Sequence, residues 1–149
     1  MRLTVLGCYG PYPAAGQNCS GYLLQDGTTS VLLDCGNGVL SQLRYHLEPW
    51  QLNAVILSHL HSDHMSDVMI MRYAMLVHHK GQPGDPLKVF APEQPAEDYA
   101  RLHYKNHVTV HPLTKNTDMT IGSMHFSFFF YRNDKRWNSV HTQGKSKAH

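Results

Sequence analysis

Long hydrophobic runs, a leader segment and paired cysteines are all missing from this 149-residue sequence. No apolar run approaches the roughly 20 residues that a membrane-spanning helix needs, and no basic-apolar-small segment opens the chain. The three cysteines, Cys8, Cys19 and Cys35, are an odd number without a C-x-x-C pair, so neither a disulfide framework nor a cysteine-rich zinc knuckle is expected. We therefore expect a cytoplasmic protein with no membrane partner.

The body of the chain, residues 1–131, also lacks a large excess of charge of one sign. Residues 1–131 hold eight Lys and Arg against ten Asp and Glu, whereas residues 132–149 hold five against one. The net charge of +2 therefore comes from the tail. Because the body has neither a basic stripe nor an arm rich in glycine and basic residues, the charge pattern does not support RNA as a partner, although RNA is kept as a candidate.

Hydrophobic periodicity predicts a mixed succession of strands and helices within one domain. A hairpin is predicted around Asp26-Gly27, which separates two apolar runs, and a fully apolar strand is predicted at residues 54–57. The remaining predictions are a strand at residues 2–7, a helix at 38–47, a helix from 66 to about 81, a strand at 87–90, a helix at 92–104, a strand at 108–110 and a hairpin at 119–128.

Metal-ligating side chains follow the strand at residues 54–57, because His59, His61, Asp63 and His64 stand within six positions. Imidazole nitrogen and carboxylate oxygen suit zinc and similar first-row ions. Two histidines at i and i+2 of an extended segment project to the same side and can share one metal, while Asp63 and His64 reach a second point nearby. Two adjacent metals would supply hydroxide and stabilise an oxyanion, so hydrolysis is the predicted reaction class.

The close spacing of the four residues argues against simpler explanations of the cluster. A single histidine is more often a surface residue than a ligand, but four ligand-type residues in six positions favour a metal site over coincidence. A structural zinc site normally uses cysteines, and the helical H-E-x-x-H motif is missing. The histidines without ligand spacing, expected on the surface for the most part, are His46, His78, His79, His103, His107, His111, His125 and His149.

The segment His59 to His64 has the pattern H-x-H-x-D-H and resembles the motif of the metallo-β-lactamase superfamily. Residues 1 to about 129 resemble the N-terminal half of the branch related to ribonuclease Z, with further matching pieces at residues 3–7, 20–24 and 32–38. The resemblance implies an α/β (α+β) fold, namely the N-terminal half of an αββα sandwich whose mixed sheet is flanked by helices. It also implies a dinuclear zinc hydrolase, of phosphodiesterase type, that uses metal-activated water.

The resemblance assigns roles to individual positions. His59 and His61 would bind the first metal, Asp63 and His64 the second, and Asp63 would be the catalytic residue that holds the attacking water. Asp34 matches an early aspartate of the family, which orients a ligand histidine through a hydrogen bond. The alternative for Asp34 is a turn-forming residue.

The family completes its site with three ligands from later in the chain: a third histidine, a bridging aspartate and a last histidine. His141 is an additional candidate ligand, and Asp134 stands at the wrong position for the bridging role. The resemblance stops at about Phe129. We therefore predict a half-domain at residues 1–130 and an irregular basic tail at 131–149, either disordered or the product of a frameshifted reading frame.

An incomplete ligand set predicts fewer or more weakly bound zinc ions than the two of the complete site. Half a sandwich would also expose an apolar sheet face, through which a homodimer could form. Three functions stay open: a hydrolase of a small-molecule or phosphodiester substrate, a truncated non-catalytic fragment that binds metal weakly, and an interaction module.

Overall fold

The computed structural model describes residues 1–133, 136–142 and 145–146. The strands are β1 (Arg2–Gly7), β2 (Gly21–Asp26), β3 (Thr29–Leu33), β4 (Ala54–Ile56), β5 (Leu87–Ala91), β6 (Val108–Pro112), β7 (Asp118–Ile121), β8 (Met124–Asn133), β9 (Arg136–Thr142) and β10 (Lys145–Ser146). The helices are α1 (Val39–Leu43), α2 (Ser62–Met65), α3 (Val68–His78) and α4 (Ala96–Leu102), and Pro49–Gln51 form a short 3-10 turn.

The larger sheet has six strands in the order β1-β2-β3-β4-β5-β6, so spatial neighbours are also neighbours in sequence. β1, β2 and β3 pair antiparallel, as the Asp26-Gly27 hairpin predicts. β3, β4, β5 and β6 pair parallel, and each connection between them contains helix. Parallel pairing needs such crossovers, because a strand that runs in the same direction as its neighbour must start from the same edge. The predicted mixed sheet flanked by helices is confirmed.

Alternating side chains of the inner strands pack on both faces of this sheet, whereas Leu3 and Val5 on β1 are exposed. On β3, Leu32 packs on the helical side with Val39 and Val68, while Val31 packs on the other side with Phe126 of the smaller sheet. This alternation follows from the two-residue period of a strand. The sheet is therefore the middle layer between the helices and a second sheet, in which β8 pairs with β7, β9 and β10.

Three helices are shorter than their sequence patterns predict. α3 spans Val68–His78 instead of residues 66 to about 81. α1 ends at Leu43 instead of residue 47, because the following amide groups form tighter turn bonds, with Tyr45 N donating to the carbonyl oxygen of Gln42. α4 begins at Ala96 instead of residue 92, since Pro95 is its N-terminal flanking residue and disfavours helical backbone in the residue before it.

Strands are also described after residue 130, in the segment for which the sequence predicts an irregular tail. β8 continues to Asn133, and β9 pairs with it in antiparallel register. Backbone pairing with an existing strand needs no hydrophobic period in the added segment, which is why periodicity alone misses it. The division into a half-domain and a tail stays a prediction. Within the part of the chain that the structure describes, no helix is long and apolar enough to cross a membrane.

Candidate metal centre

The cluster lies where the carboxyl ends of β3 and β4 meet. Asp34 directly follows β3, and its amide donates to the carbonyl oxygen of Ile56 on β4 at 2.9 Å. The adjacent parallel strands leave the sheet at the same edge, which is the usual position of a site in an open α/β sheet. The backbone pairing thus brings Asp34 beside a cluster that begins 25 residues later in the sequence.

Three imidazoles converge at this edge. The ring centroid of His59 lies 4.7 Å from that of His61 and 4.0 Å from that of His64. Asp63 and His64 are not in an irregular loop, as the sequence predicts, but on the single turn of α2, which begins at Ser62. This helical turn places the Oδ2 atom of Asp63 3.4 Å from the Nε2 atom of His64.

That separation suits two ligands of one tetrahedral metal. Zinc binds imidazole nitrogen and carboxylate oxygen at about 2.0–2.2 Å, so two such donors at the tetrahedral angle lie roughly 3.3–3.6 Å apart. The 3.4 Å between Asp63 and His64 falls within this interval. The residues present therefore fit a zinc ion at the Asp63-His64 pair.

Asp34 holds one of these imidazoles by a direct hydrogen bond. Its Oδ2 atom accepts from Nδ1 of His64 at 2.7 Å and from Oγ of Ser58 at 2.8 Å, and its Oδ1 atom accepts from the Ser58 amide at 2.7 Å. Asp34 is only 7% exposed and has a φ of 56°. A non-glycine residue in this left-handed region stores strain, which is characteristic of functional sites. Its carboxylate thus spans two segments rather than closing a local turn.

His59 and His64, the two inner histidines of the cluster, have opposite pKa shifts, whereas the outer His61 is exposed. Burial, and the nearby charge of His64, lower the pKa of His59. Burial also opposes protonation of His64, but its hydrogen bond with Asp34 and the charges of Asp34 and Asp63 outweigh that cost and raise its pKa. A proton therefore competes with a metal for the ring of His64 up to a higher pH than it does for the ring of His59.

Residues 34–36 pack against the backbone of the segment that carries the candidate ligands. This segment, residues 59–67 between β4 and α3, is called the metal loop. The amide of Cys35 donates to the carbonyl oxygen of His64 at 2.7 Å, and a Cβ at Gly36 would lie 1.9 Å from the carbonyl oxygen of Asp63. Gly10, in the β1–β2 loop, also approaches the site, since a Cβ there would lie 2.8 Å from Oδ2 of Asp63. No larger side chain fits at Gly36 without moving the loop that carries the ligands.

Asp67 joins the metal loop to the preceding helix. Its Oδ2 atom accepts from the amide of Leu40 at 2.9 Å, in the first turn of α1. The N-terminal flanking residue of α1 is Gly38, which has no side chain to supply that acceptor. Burial raises the pKa of Asp67, while the amides of Leu40 and Gly38 partly counter the shift. Asp67 thus caps α1 from a distant part of the sequence.

The centre is incomplete as a chelating site. Among the described residues, no group of three or more His, Cys, Asp or Glu side chains is positioned to hold one metal ion. His141 is placed on β9, paired in register with Phe129, and its role as a ligand stays a prediction. Asp134 lies outside the described residues.

Sequence reasoning missed three contributors to this site, namely Ser58, Gly36 and Asp67. Ser58 immediately precedes the histidine cluster, and this position is the only local signal for it. Gly36 was predictable only as a turn residue, and Asp67 only as a polar residue before a helix. Their roles depend on contacts between segments about 20 to 30 residues apart, which a pattern read along one segment does not contain.

Comparison with known proteins decides the family. A model of the beta-lactamase superfamily domain matches residues 29–147, which is most of the chain. The chain belongs to the beta-lactamase superfamily. Its H-x-H-x-D-H segment lies within the matched range, as the resemblance predicts.

This superfamily member covers only part of the length of its named relatives. The chain is 36% identical over 129 residues to the "Probable metallo-hydrolase YhfI" of Bacillus subtilis (strain 168), covering 86% of this chain and 53% of that protein. It is 32% identical over 98 residues to a ribonuclease Z of Mycolicibacterium gilvum (strain PYR-GCK), covering 65% of this chain and 34% of that protein. The chain thus spans about half the length of the first relative and less of the second.

Solved structures show the same architecture. The crystal structure of YhfI from Bacillus subtilis superposes with a TM-score of 0.89 at 32% identity, over 99% of this chain and 59% of that one. The short form of human tRNase Z superposes with a TM-score of 0.75 at 20% identity, over 99% of this chain and 66% of that one. The second match concerns the fold alone, and the first is to a protein described as having the metallo-beta-lactamase fold.

Proposed function

We propose that this chain carries the N-terminal ligand set of a dinuclear zinc hydrolase of phosphodiesterase type. The observation that supports the proposal most directly is the Asp63-His64 pair, whose donor atoms lie 3.4 Å apart at the carboxyl edge of the sheet. His64 is held from behind by Asp34, an arrangement typical of histidines that bind metals. In the proposal, His59 and His61 hold one zinc ion, and Asp63 and His64 hold the other.

Two zinc ions would lower the pKa of a water toward neutrality and stabilise the negative charge that develops on the attacked group. The chain's own part is to orient ligands and to manage protons. Asp34 keeps the Nδ1 proton of His64 away from the metal side of the ring, and the carboxylate of Asp63 can accept a hydrogen bond from the attacking water. Asp63 is therefore the proposed catalytic residue.

A phosphodiester is the substrate class that the relatives favour. The ribonuclease Z match carries the name of an enzyme that acts on RNA, whose backbone is a phosphodiester. The body of the present chain has a net charge of −2, which does not favour a long RNA partner without further basic surface. We propose a small phosphodiester ahead of RNA, with cytoplasmic location as the accompanying expectation.

A second candidate function is a non-catalytic fragment that binds metal weakly. It is favoured by the ligand set itself, because the described residues supply only pairs of donors and no group of three. With two ligands per metal, coordination contributes less free energy, and affinity falls well below that of a closed site. Association with another polypeptide, a second copy included, would then be the function that remains.

Zinc content and turnover separate the two candidates. The 149-residue chain is loaded with zinc, freed of excess metal, and assayed by elemental analysis and with bis(p-nitrophenyl) phosphate. About two equivalents of zinc with turnover support the hydrolase, as two-metal catalysis requires. Less than one equivalent without turnover refutes it in favour of the fragment.

The matched control uses two single histidine substitutions. His59→Ala removes a proposed ligand and is expected to abolish turnover and lower the zinc content. His103→Ala removes an exposed histidine in the segment between α4 and β6 and is expected to change neither. Equal rates in wild type and His59→Ala would overturn the metal mechanism.

A further inference from the structure

The side chain of Ser58 lies between Asp34 and His59. Its Oγ atom is 2.8 Å from Oδ2 of Asp34 and 3.0 Å from Nδ1 of His59. Its backbone amide donates to the other carboxylate oxygen of Asp34 at 2.7 Å. Ser58 is thus fixed at both its backbone and its hydroxyl, on the segment between β4 and the histidine cluster.

The chemistry of these groups sets the direction of each hydrogen bond. A carboxylate only accepts hydrogen bonds, so the hydroxyl hydrogen of Ser58 points to Asp34. The lone pairs of Oγ then face Nδ1 of His59, which must be the protonated nitrogen that donates to it. His64 donates from its own Nδ1 to the same carboxylate oxygen at 2.7 Å.

We propose that Ser58 is a positioning residue that connects Asp34 to His59, so that one carboxylate sets the tautomer of two metal-site imidazoles. His64 is set directly and His59 through the Ser58 hydroxyl, and in both rings the proton is held on Nδ1 while the Nε2 lone pair is left free. This inference rests on the proposed function for its consequence, because a free Nε2 lone pair is what a metal ion needs.

The arrangement distinguishes the two inner histidines from the outer one. His59 and His64 both reach Asp34, with no more than one hydroxyl between them, whereas no hydrogen bond to a described residue fixes the ring of the exposed His61. Without the Ser58 hydroxyl, His59 is free to carry its proton on either nitrogen. Each proposed metal would therefore have one ligand that is oriented in advance.

Nitrogen-15 NMR of the metal-free 149-residue chain tests the proposal without any metal. Long-range proton–nitrogen spectra, recorded at a pH where the imidazoles are neutral, show which ring nitrogen carries the proton. We expect the Nδ1-protonated form for His59 and His64 in wild type and in Ser58→Thr, which keeps the hydroxyl. In Ser58→Ala we expect His59 to gain the Nε2-protonated form, while His64 stays unchanged.

The control is Ser41→Ala, which removes an exposed hydroxyl that donates to the carbonyl oxygen of Gly38, and it is expected to leave both rings unchanged. An unchanged His59 tautomer in Ser58→Ala overturns the proposal. If Ser58→Ala does not fold, wild type alone still decides, because a proton on Nε2 of His59 contradicts the arrangement.

Zinc affinity supplies the second measurement. Removing an outer partner of a metal-binding histidine typically lowers affinity 10- to 100-fold, and because Ser58 acts on one ligand only, we expect a loss of about 10-fold in Ser58→Ala. Ser58→Thr is expected to restore it, and unchanged zinc affinity in Ser58→Ala would refute the proposed consequence. Failure of the proposed function has a different signature, in which wild type shows the expected tautomers but binds no zinc.

Discussion

Replacing Asp34 with asparagine gives the sharpest test of how this site is organised. Asparagine has nearly the same shape and tolerates the left-handed backbone at φ 56°, so the turn is preserved. Its amide oxygen can still accept from the Ser58 amide. The substitution changes the other side-chain oxygen, Oδ2. An NH₂ group replaces this atom, which accepts from Ser58 Oγ and from His64 Nδ1 in the wild type.

The size of the effect follows from those two contacts. Each hydrogen bond to a charged group contributes about 1.5–3 kcal/mol, and His64 can restore its own by moving its proton to Nε2. We therefore expect Asp34→Asn to lower the free energy of unfolding of the metal-free chain by about 1.5–3 kcal/mol. The same proton shift blocks the metal side of His64, so zinc affinity should fall about 10- to 100-fold, equivalent to roughly 1.4–2.8 kcal/mol.

Two assays measure these quantities separately. Urea denaturation of the metal-free chain gives the free energy of unfolding, and competition with a chromogenic chelator gives the zinc affinity. Asp118→Asn is the matched control. It changes another aspartate–histidine contact, in which Oδ1 of Asp118 lies 2.9 Å from Nε2 of His125, but the Asp118 side chain is 66% exposed. The reasoning is refuted if Asp34→Asn binds zinc within twofold of wild type, or if the control loses as much affinity.

Four further outcomes are expected. Asp67→Ala should cost about 1–3 kcal/mol because it leaves the Leu40 amide without its acceptor, whereas Asp67→Asn keeps an acceptor and should cost less in urea unfolding at neutral pH. Because burial raises the pKa of Asp67 above 3.8, wild type should lose stability relative to Asp67→Asn as pH rises from that value through the raised pKa, and a constant difference would contradict this. Gly36→Ala should destabilise the fold by about 1–3 kcal/mol and weaken zinc binding, since its Cβ would meet the carbonyl oxygen of Asp63; unchanged unfolding and zinc affinity would show that the loop yields freely. Free zinc at about 100 times its dissociation constant should add about 2.7 kcal/mol to the free energy of unfolding, seen as a higher Tm that a chelator reverses.

Local patterns predict most of the sheet and helices but not all of their ends. The Asp26-Gly27 hairpin and the apolar strand β4 follow from turn chemistry and burial, which act within a few residues. The sequence offers two prolines that both suit a helix N-terminus, and α4 begins after the second, because Pro95 disfavours helical backbone in the residue before it. β9 depends on pairing with β8, which its own sequence does not reveal.

The candidate site divides in the same way. The motif from His59 to His64 is contiguous, so its chemistry is visible in the sequence, and Asp34 is found through the family resemblance. The part played by Ser58 was not predictable, because its hydroxyl matters only once β3 and β4 have aligned Asp34 with it. The carboxylate's second task, toward His59, is therefore a property of the folded chain.

The order β1 to β6 has a consequence for synthesis on the ribosome. Each new strand of this sheet adds to the edge formed by the strand made just before it, so the sheet can grow in the direction of translation without waiting for distant partners. Asp34, Ser58 and the histidine cluster all precede the end of α3 at His78. Once β1 to β4 and α3 have left the exit tunnel, the hydrogen-bond partners of Asp34 at Ile56, Ser58 and His64 are all present. This half of the metal centre can then assemble while the remaining residues are still being translated.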